Sequence, residues 1–395
     1  MQRNITVPEA LDLTGAVLVD VRSEAEFAEA TIPGAVNIPL LDNVQRALVG
    51  VAYKERGPQY ARRLGLDLTA PRLPRFIASF DRLAAGRPVV LFCWRGGLRS
   101  QYSAGLLEVM GFPVYRILGG YKAYRRYVNE YLGRESLPLR AVVLHGLTGV
   151  GKTRLLTALA QTGVPVLDLE GLAAHRGSVF GKIGMPPSPS QKMFEGLIVQ
   201  ALRQAQTRGL FVVECESRRL GRLLVPPVVF KSIQEGYRVL LYDSLENRVR
   251  RIREDYIRGP DGNVDALQKA VAALEKYLGR QRVAELNREL AGGDFNRVFS
   301  DLLTGYYDPL YKYPAGPSDD YHLSVDMSDL PGAVDKVRRF VLSLPGHDHL
   351  EGGEGCGNRQ YAQGGAPGSR YFAGGCRRGY QDPGQIPGSV GKGSF

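Results

Sequence analysis

The sequence predicts an α/β protein of two domains, each organised on a mainly parallel sheet, followed by a disordered glycine-rich tail. Three features predict it. Short apolar runs alternate with helix-initiating segments, the pattern of parallel sheets covered by helices on both faces. An uninterrupted G-x4-G-K-[ST] loop, Gly146 to Thr153, stands between an apolar run and a helical pattern. From about Gly346 the chain is roughly one-third glycine without apolar periodicity, so it cannot bury a core. These features divide the chain into residues 1–135, 138–345 and 346–395, with Leu137-Pro138 marking the first boundary.

In the first domain, Ala16 to Arg22 is a short apolar strand ending in charges, and Ser23 followed by Glu24 and Glu26 caps a helix. Ile32-Pro33-Gly34 is a turn into another strand. Pro88 to Phe92 is a buried strand, and Cys93-Trp94-Arg95-Gly96-Gly97-Leu98-Arg99-Ser100 carries it into a helix near Gln101. That order places the Cys93 thiol inside a ring of backbone N–H groups at the positive end of a helix, which is an anion site. The same field, with Arg95 and Arg99 beside it, favours the nucleophilic thiolate. Val114 to Ile117 is one more strand, stopped by Gly119-Gly120-Tyr121. The stretch from Leu40 to Arg87 suits a helical cap, or a substrate or RNA contact. The run Tyr121 to Tyr127 interleaves aromatic and basic residues, as a solvated helix face or an RNA contact would.

In the second domain, Ala141 to His145 is the strand that leads into the phosphate loop. The loop N–H groups at Gly146, Thr148, Gly149 and Gly151 suit a diphosphate, Lys152 reaches the terminal phosphate, and Thr153 offers a hydroxyl to Mg²⁺. Two further apolar runs end in Asp168 and Glu214, and with Glu216 these carboxylates are candidates for metal-adjacent or acid/base groups, or for solvated strand ends. Arg176, in His175 to Gly181, and Arg218, in Ser217 to Arg219, suggest a second anionic pocket. The helical segment from Leu245 to Ile257 has an apolar face, with Arg248, Arg250, Arg251 and Arg253 on the remainder. Leu267 to Leu290 is another helix or helix pair with Arg280, Arg282 and Arg288. These basic helices suit an RNA footprint or a solvated face.

Bulk composition agrees with a globular protein facing a polyanion. The chain has 395 residues, a formal net charge of +11 and 44% hydrophobic residues. Its four cysteines, Cys93, Cys215, Cys356 and Cys376, lack the close pairing of a disulfide framework or zinc site. No apolar run approaches a membrane span and the start lacks a signal-like succession, so a cytoplasmic location is expected. Oligomeric state stays open.

Several of these blocks carry a resemblance. Asp20-Val21-Arg22, Glu26-Phe27, Ile32 to Asn37, the cysteine loop and Leu118 to Tyr121 resemble a rhodanese domain in order and spacing. Five residues separate Cys93 from Arg99, where common sulfurtransferase loops have four; the longer loop resembles the phosphatase branch and suits a phosphate-sized group. Beside these stand the phosphate loop, Leu167 to Ser178, Gln191 to Glu195, Glu214 to Arg218 and Tyr306 to Tyr311. Together they resemble the tRNA 2-selenouridine synthase family, a rhodanese-like domain fused to a P-loop domain. The resemblance implies exchange of sulfur for selenium in wobble 2-thiouridine of tRNA, with selenophosphate as donor and an S-geranyl intermediate made from geranyl diphosphate. It makes Cys93, Arg95 and Arg99 the selenium-transfer site and Gly146 to Thr153 the diphosphate site. An ATP-using sulfurtransferase, an RNA-binding sulfur carrier and a phosphatase are the alternatives.

Overall fold

A computed structural model describes residues 3–257 and 263–345. The tail, with Cys356 and Cys376, lies outside the described residues. The chain forms two compact units: residues up to Arg134 together with Pro189–Gln200, and Glu135–Ser188 together with the chain from Ala201. Nothing in the apolar pattern marks the short segment 189–200 as belonging with the first unit.

The first unit runs β1 (Arg3–Ile5), α1 (Val7–Asp12), β2 (Val17–Asp20), α2 (Glu24–Glu29), β3 (Val36–Asn37), α3 (Asn43–Thr69), α4 (Leu73–Ala84), β4 (Val89–Phe92), α5 (Leu98–Val109), β5 (Val114–Ile117) and α6 (Gly120–Leu132). Its sheet has the order β1-β5-β4-β2-β3 and every pairing is parallel. All four β4 residues are buried, as a central strand covered on both faces requires. Val19, Leu91 and Phe80 are among the side chains of the core beneath it. The stretch from Leu40 to Arg87 is helical: α3 opens on an Asp42 capping box, breaks at Gly57, whose φ of 85° is left-handed, and resumes at Pro58.

The second unit runs β6 (Arg140–His145), α7 (Lys152–Gln161), β7 (Val166–Leu167), α8 (Leu169–Ala173), α9 (Gln191–Ala205), β8 (Leu210–Glu214), β9 (Arg219–Leu220), β10 (Leu223–Leu224), α10 (Pro227–Glu235), β11 (Tyr237–Tyr242) and α11 (Leu245–Tyr256). Three further helices follow, α12 (Val264–Ala272), α13 (Glu275–Leu278) and α14 (Arg280–Ala291). The unit closes with α15 (Phe295–Leu302), a π-helical turn at Leu303–Tyr307, α16 (Asp308–Tyr311), β12 (Leu323–Asp326) and α17 (Leu330–Ser343). Helix α9 begins in the segment that clusters with the first unit. The sheet order is β12-β11-β6-β8-β7, again all parallel, and β9 and β10 form a separate antiparallel pair. The strand order reverses beside β6, so the crevice at its carboxyl end is where such sheets bind ligands. Helices α11 to α15 and the π-turn build a second apolar core away from the sheet, around Leu267, Leu286, Val298 and Leu303.

Candidate functional sites

The first site is built on the carboxyl end of β4. The Cys93 side chain is buried, with Sγ 3.3 Å from Ser100 Oγ and 3.9 Å from the Gly97 carbonyl oxygen. Ser100 Oγ also donates to the Gly97 carbonyl at 3.1 Å. A thiolate at this position would take the Ser100 hydroxyl as a donor, a role for Ser100 that the sequence pattern alone did not assign. Helix α5 starts at Gly97 without a capping side chain, so its first N–H groups are open to the loop.

Glycines close the nest from the other side. Gly120 has φ of 57°, and a Cβ there would lie 2.2 Å from the Cys93 carbonyl oxygen. With that space kept empty, the Tyr121 amide donates to the Cys93 carbonyl at 2.8 Å and the Lys122 amide to the Trp94 carbonyl at 2.9 Å. Two helix N-termini, of α5 and α6, thus hold the cysteine loop.

The two predicted arginines differ. Arg95 is exposed and makes no hydrogen bond or ion pair among the described residues. Arg99 does not point freely into the nest: its guanidinium pairs with Glu26 at 2.6 Å and 3.2 Å. Burial works against the charge on Arg99, but the Glu26 hydrogen bond and charge outweigh it and raise its pKa. Conversely, burial opposes ionisation of Glu26, yet Arg99, the Ser23 amide and Arg46 leave its pKa lowered. The charge that Arg99 brings to the nest is therefore partly balanced by Glu26.

Arg22 is a further functional candidate, hidden in the sequence as an ordinary strand-end charge. It is buried, with a bidentate pairing to Asp20 and a donor to the Ala30 carbonyl. Its guanidinium lies 4.2 Å from the Tyr121 ring centre and 6.0 Å from that of Trp94. Arg22 thereby fixes the aromatic wall beside the loop.

The second site follows β6. Gly146, Gly149 and Gly151 have φ values of 150°, 78° and 100°. At Gly146 a Cβ would meet the Leu241 carbonyl oxygen at 2.5 Å, and at Gly149 it would meet Ile252 at 2.8 Å. The glycines let the loop curl with its amides inward and pack on β11 and α11. Lys152 Nζ donates to the Gly146 carbonyl at 3.2 Å, lying across the loop, and Thr153 Oγ1 donates to Glu170 at 3.3 Å.

The loop borders a cavity of about 120 Å³. Thr148, Gly149, Gly151, Lys152 and Thr153 line one side, and Glu170, Arg176, Ser178 and Glu216 line another. Arg176, Gly177 and Ser178 therefore form a wall of this cavity rather than a second anionic pocket. The Arg176 guanidinium donates to the Ile183 carbonyl at 3.0 Å and lies 5.1 Å from the Tyr256 ring centre. His175 is a packing wedge: added Cβ atoms at Gly181 and Gly221 would each come within 2.7 Å of its ring. Arg218 is exposed and is not among the cavity residues.

The predicted carboxylates gather behind the loop. Glu214 Oε1 accepts from the Glu170 amide at 2.8 Å, and Asp168 caps α8 through the Gly171 amide at 2.8 Å. Glu214 Oε2 is buried without a hydrogen-bond partner. Burial, reinforced by Asp168, Glu170 and Glu216, pushes the Glu214 pKa well above the usual carboxylate range. Burial and the Glu170 charge do the same to Glu216. Among the described residues no three His, Cys, Asp or Glu side chains form a ready metal cage. Thr153 and Glu170 nevertheless supply hard oxygen donors beside the loop, the donor type that fits Mg²⁺ completed by phosphate oxygens and water.

The Leu245–Ile257 helix is where the structure departs most from expectation. Arg248 and Arg251 are buried and point at the phosphate loop, not at a nucleic acid. Arg248 donates to the Thr148 carbonyl at 2.9 Å and forms a bidentate pair with Asp308 at 3.0 Å and 2.5 Å. Arg251 donates to the Val150 carbonyl at 3.3 Å, to Asp243 at 2.5 Å and to the Met327 carbonyl at 2.6 Å. Arg250 and Arg253 remain exposed on the outer face. In the later helices Arg282 pairs with Glu285 and Asp301, while Arg280 and Arg288 are exposed.

The match to known proteins follows this division. Residues 6–127 match the rhodanese-like domain, and residues 139–326 match the tRNA 2-selenouridine synthase AAA domain. The chain is 35% identical over 342 residues to the tRNA 2-selenouridine synthase of Pseudomonas syringae pv. syringae, covering 79% of this chain and 92% of the relative. It is 34% identical over 365 residues to that of Hydrogenovibrio crunogenus, covering 84% and 97%. To the Bordetella petrii synthase it is 35% identical over 333 residues, covering 77% and 88%. With both domain types matched and relatives covered over nearly their whole length, the chain belongs to the tRNA 2-selenouridine synthase family.

Proposed function

We propose that the protein is a cytoplasmic tRNA-modifying transferase that converts wobble 2-thiouridine to 2-selenouridine through an S-geranyl intermediate, using geranyl diphosphate and then selenophosphate. The observation that carries the proposal is one chain with two anion cradles of different build. One surrounds a thiol, and the other is a glycine-rich loop with a lysine but no nucleophile of its own.

In the first step the thiouridine sulfur attacks the allylic carbon of geranyl diphosphate. A C–S bond forms, the C–O bond breaks, diphosphate leaves with the electron pair, and the uridine N3 proton is lost to solvent. The loop amides and Lys152 bind the diphosphate and stabilise the charge it gains on departure. Mg²⁺, held by Thr153 and Glu170, would supply further charge neutralisation. Burial raises the pKa values of Asp168, Glu214 and Glu216, which weakens their opposition to an incoming anion.

In the second step the Cys93 loop binds selenophosphate through the open amides of α5, with Arg95 and Arg99 as its cations. Selenium bonds to the uridine carbon, geranylthiolate leaves with the electron pair, and hydrolysis of the Se–P bond releases phosphate. Alkylation serves this step because a thiolate leaves far more readily than sulfide. The Cys93 thiol stands beside the transferring selenium, with the Ser100 hydroxyl 3.3 Å from its sulfur.

Mass spectrometry of nucleosides from 2-thiouridine tRNA tests the proposal, with geranyl diphosphate and selenophosphate supplied singly and together. Geranylated uridine with the first alone, and selenated uridine only with both, is the expected result. An unchanged base accompanied by ATP hydrolysis would transfer the reading to an ATP-using sulfurtransferase.

A further inference from the structure

The phosphate-loop cavity continues into a second, apolar one. A slot of about 30 Å³ shares Thr148, Ser178, Ile252 and Tyr256 with the cavity around the loop. Beyond Ser178 its wall is Phe180, Phe299, Leu302, Leu303 and Tyr307. All five of these side chains are buried. They belong to the loop after α8, to α15 and to the π-helical turn Leu303–Tyr307. A π-turn puts an extra residue into one helical turn, and such turns recur at functional sites.

A ligand with its anionic head on the loop amides would meet this slot next. A ribose and base would need several hydrogen-bond partners there; the slot offers only the hydroxyls of Thr148, Ser178, Tyr256 and Tyr307, and the Phe180, Ile252, Phe299, Leu302 and Leu303 side chains provide none. A hydrocarbon chain needs only contact and exclusion of water. We infer that the slot between α11, α15 and the π-turn is the hydrocarbon subsite of the phosphate-loop site, and that Phe299 and Leu303 set the length of chain it accepts. The inference rests on the proposed use of an allylic diphosphate and adds the residues that choose among such diphosphates.

The physical basis is burial. Each further CH₂ group taken out of water is worth roughly fourfold in binding. A chain too long for the slot must displace packed side chains and loses that gain. Phe299 and Leu303 are buried wall residues, so their side-chain volume bounds the room left in the slot.

The test uses the full-length protein with thiolated tRNA and compares kcat/KM for dimethylallyl, geranyl and farnesyl diphosphates. Phe299→Ala enlarges the slot and should raise the farnesyl-to-geranyl ratio at least about tenfold. Leu303→Phe shortens it and should move preference toward dimethylallyl diphosphate by a similar factor. Shifts in opposite directions cannot arise from a general loss of stability. Ratios unchanged in both variants, with alkylation retained, would overturn the subsite while leaving the proposed reaction standing. Failure of the unaltered protein to alkylate with any of the three would instead remove the reaction on which the subsite rests.

Discussion

Cys93 sits in a buried nest whose parts are backbone amides, the Ser100 hydroxyl and a guanidinium already engaged by Glu26. His145, on the strand before the phosphate loop, is the opposite kind of residue, a titratable group with no evident chemistry. Its ring meets Tyr313 and Tyr321 edge-on, and its Nε2 is buried without a partner. Burial, with Arg238 and Lys152 nearby, lowers its pKa from 6.5 to about 4. The folded state thus binds fewer protons than the unfolded chain below pH 6.5. The contribution of His145 is complete above that pH and is lost as pH falls toward 4. His145→Asn should flatten this part of the stability profile, measured by urea unfolding at intervals from pH 7 to pH 4. A variant that loses stability as steeply as the parent would show that His145 is not the group responsible. At this scale the sequence was readable where function is local: Cys93, Lys152 and the loop glycines follow one another along the chain. Arg22 was not readable, because its partners Ala30 and Tyr121 come together only in the fold.

Helix α11 shows why a residue pattern and its use can part company. Its four arginines suggested a charged outer face, but two of them sit on the inner side and brace the carbonyls of the phosphate loop. Periodicity identifies a face, but not whether a carboxylate waits opposite it, and buried Asp243 and half-buried Asp308 supply that. The loop is therefore held from outside by two guanidiniums that bind its carbonyls. Asp308→Ala would leave Arg248 with an uncompensated buried charge, a cost of about 3–5 kcal/mol. Arg250→Ala, on the exposed face, should change stability by no more than about 0.5 kcal/mol. Chemical denaturation of both variants, with inorganic pyrophosphate binding measured alongside, checks this. Equal effects of the two substitutions would deny α11 its bracing role.

Across the whole chain, alternation of short strands and capped helices was enough to read two parallel α/β domains, and both sheets are parallel throughout. What escaped that reading depends on distant contacts: the segment 189–200 joins the first unit, and helices after β11 form their own core. Among the described residues no helix is long and apolar enough to cross a membrane. A formal net charge of +11 suits a tRNA substrate. The central claim is that the two units carry separate chemical steps, so the most direct measurement separates them. Cys93→Ala and Lys152→Ala are each given 2-thiouridine tRNA with geranyl diphosphate, and, separately, pre-geranylated tRNA with selenophosphate, with nucleosides read by mass spectrometry. Cys93→Ala should geranylate but not selenate, and Lys152→Ala should selenate the supplied intermediate but not geranylate. Loss of both steps in either well-folded variant would contradict the division of labour.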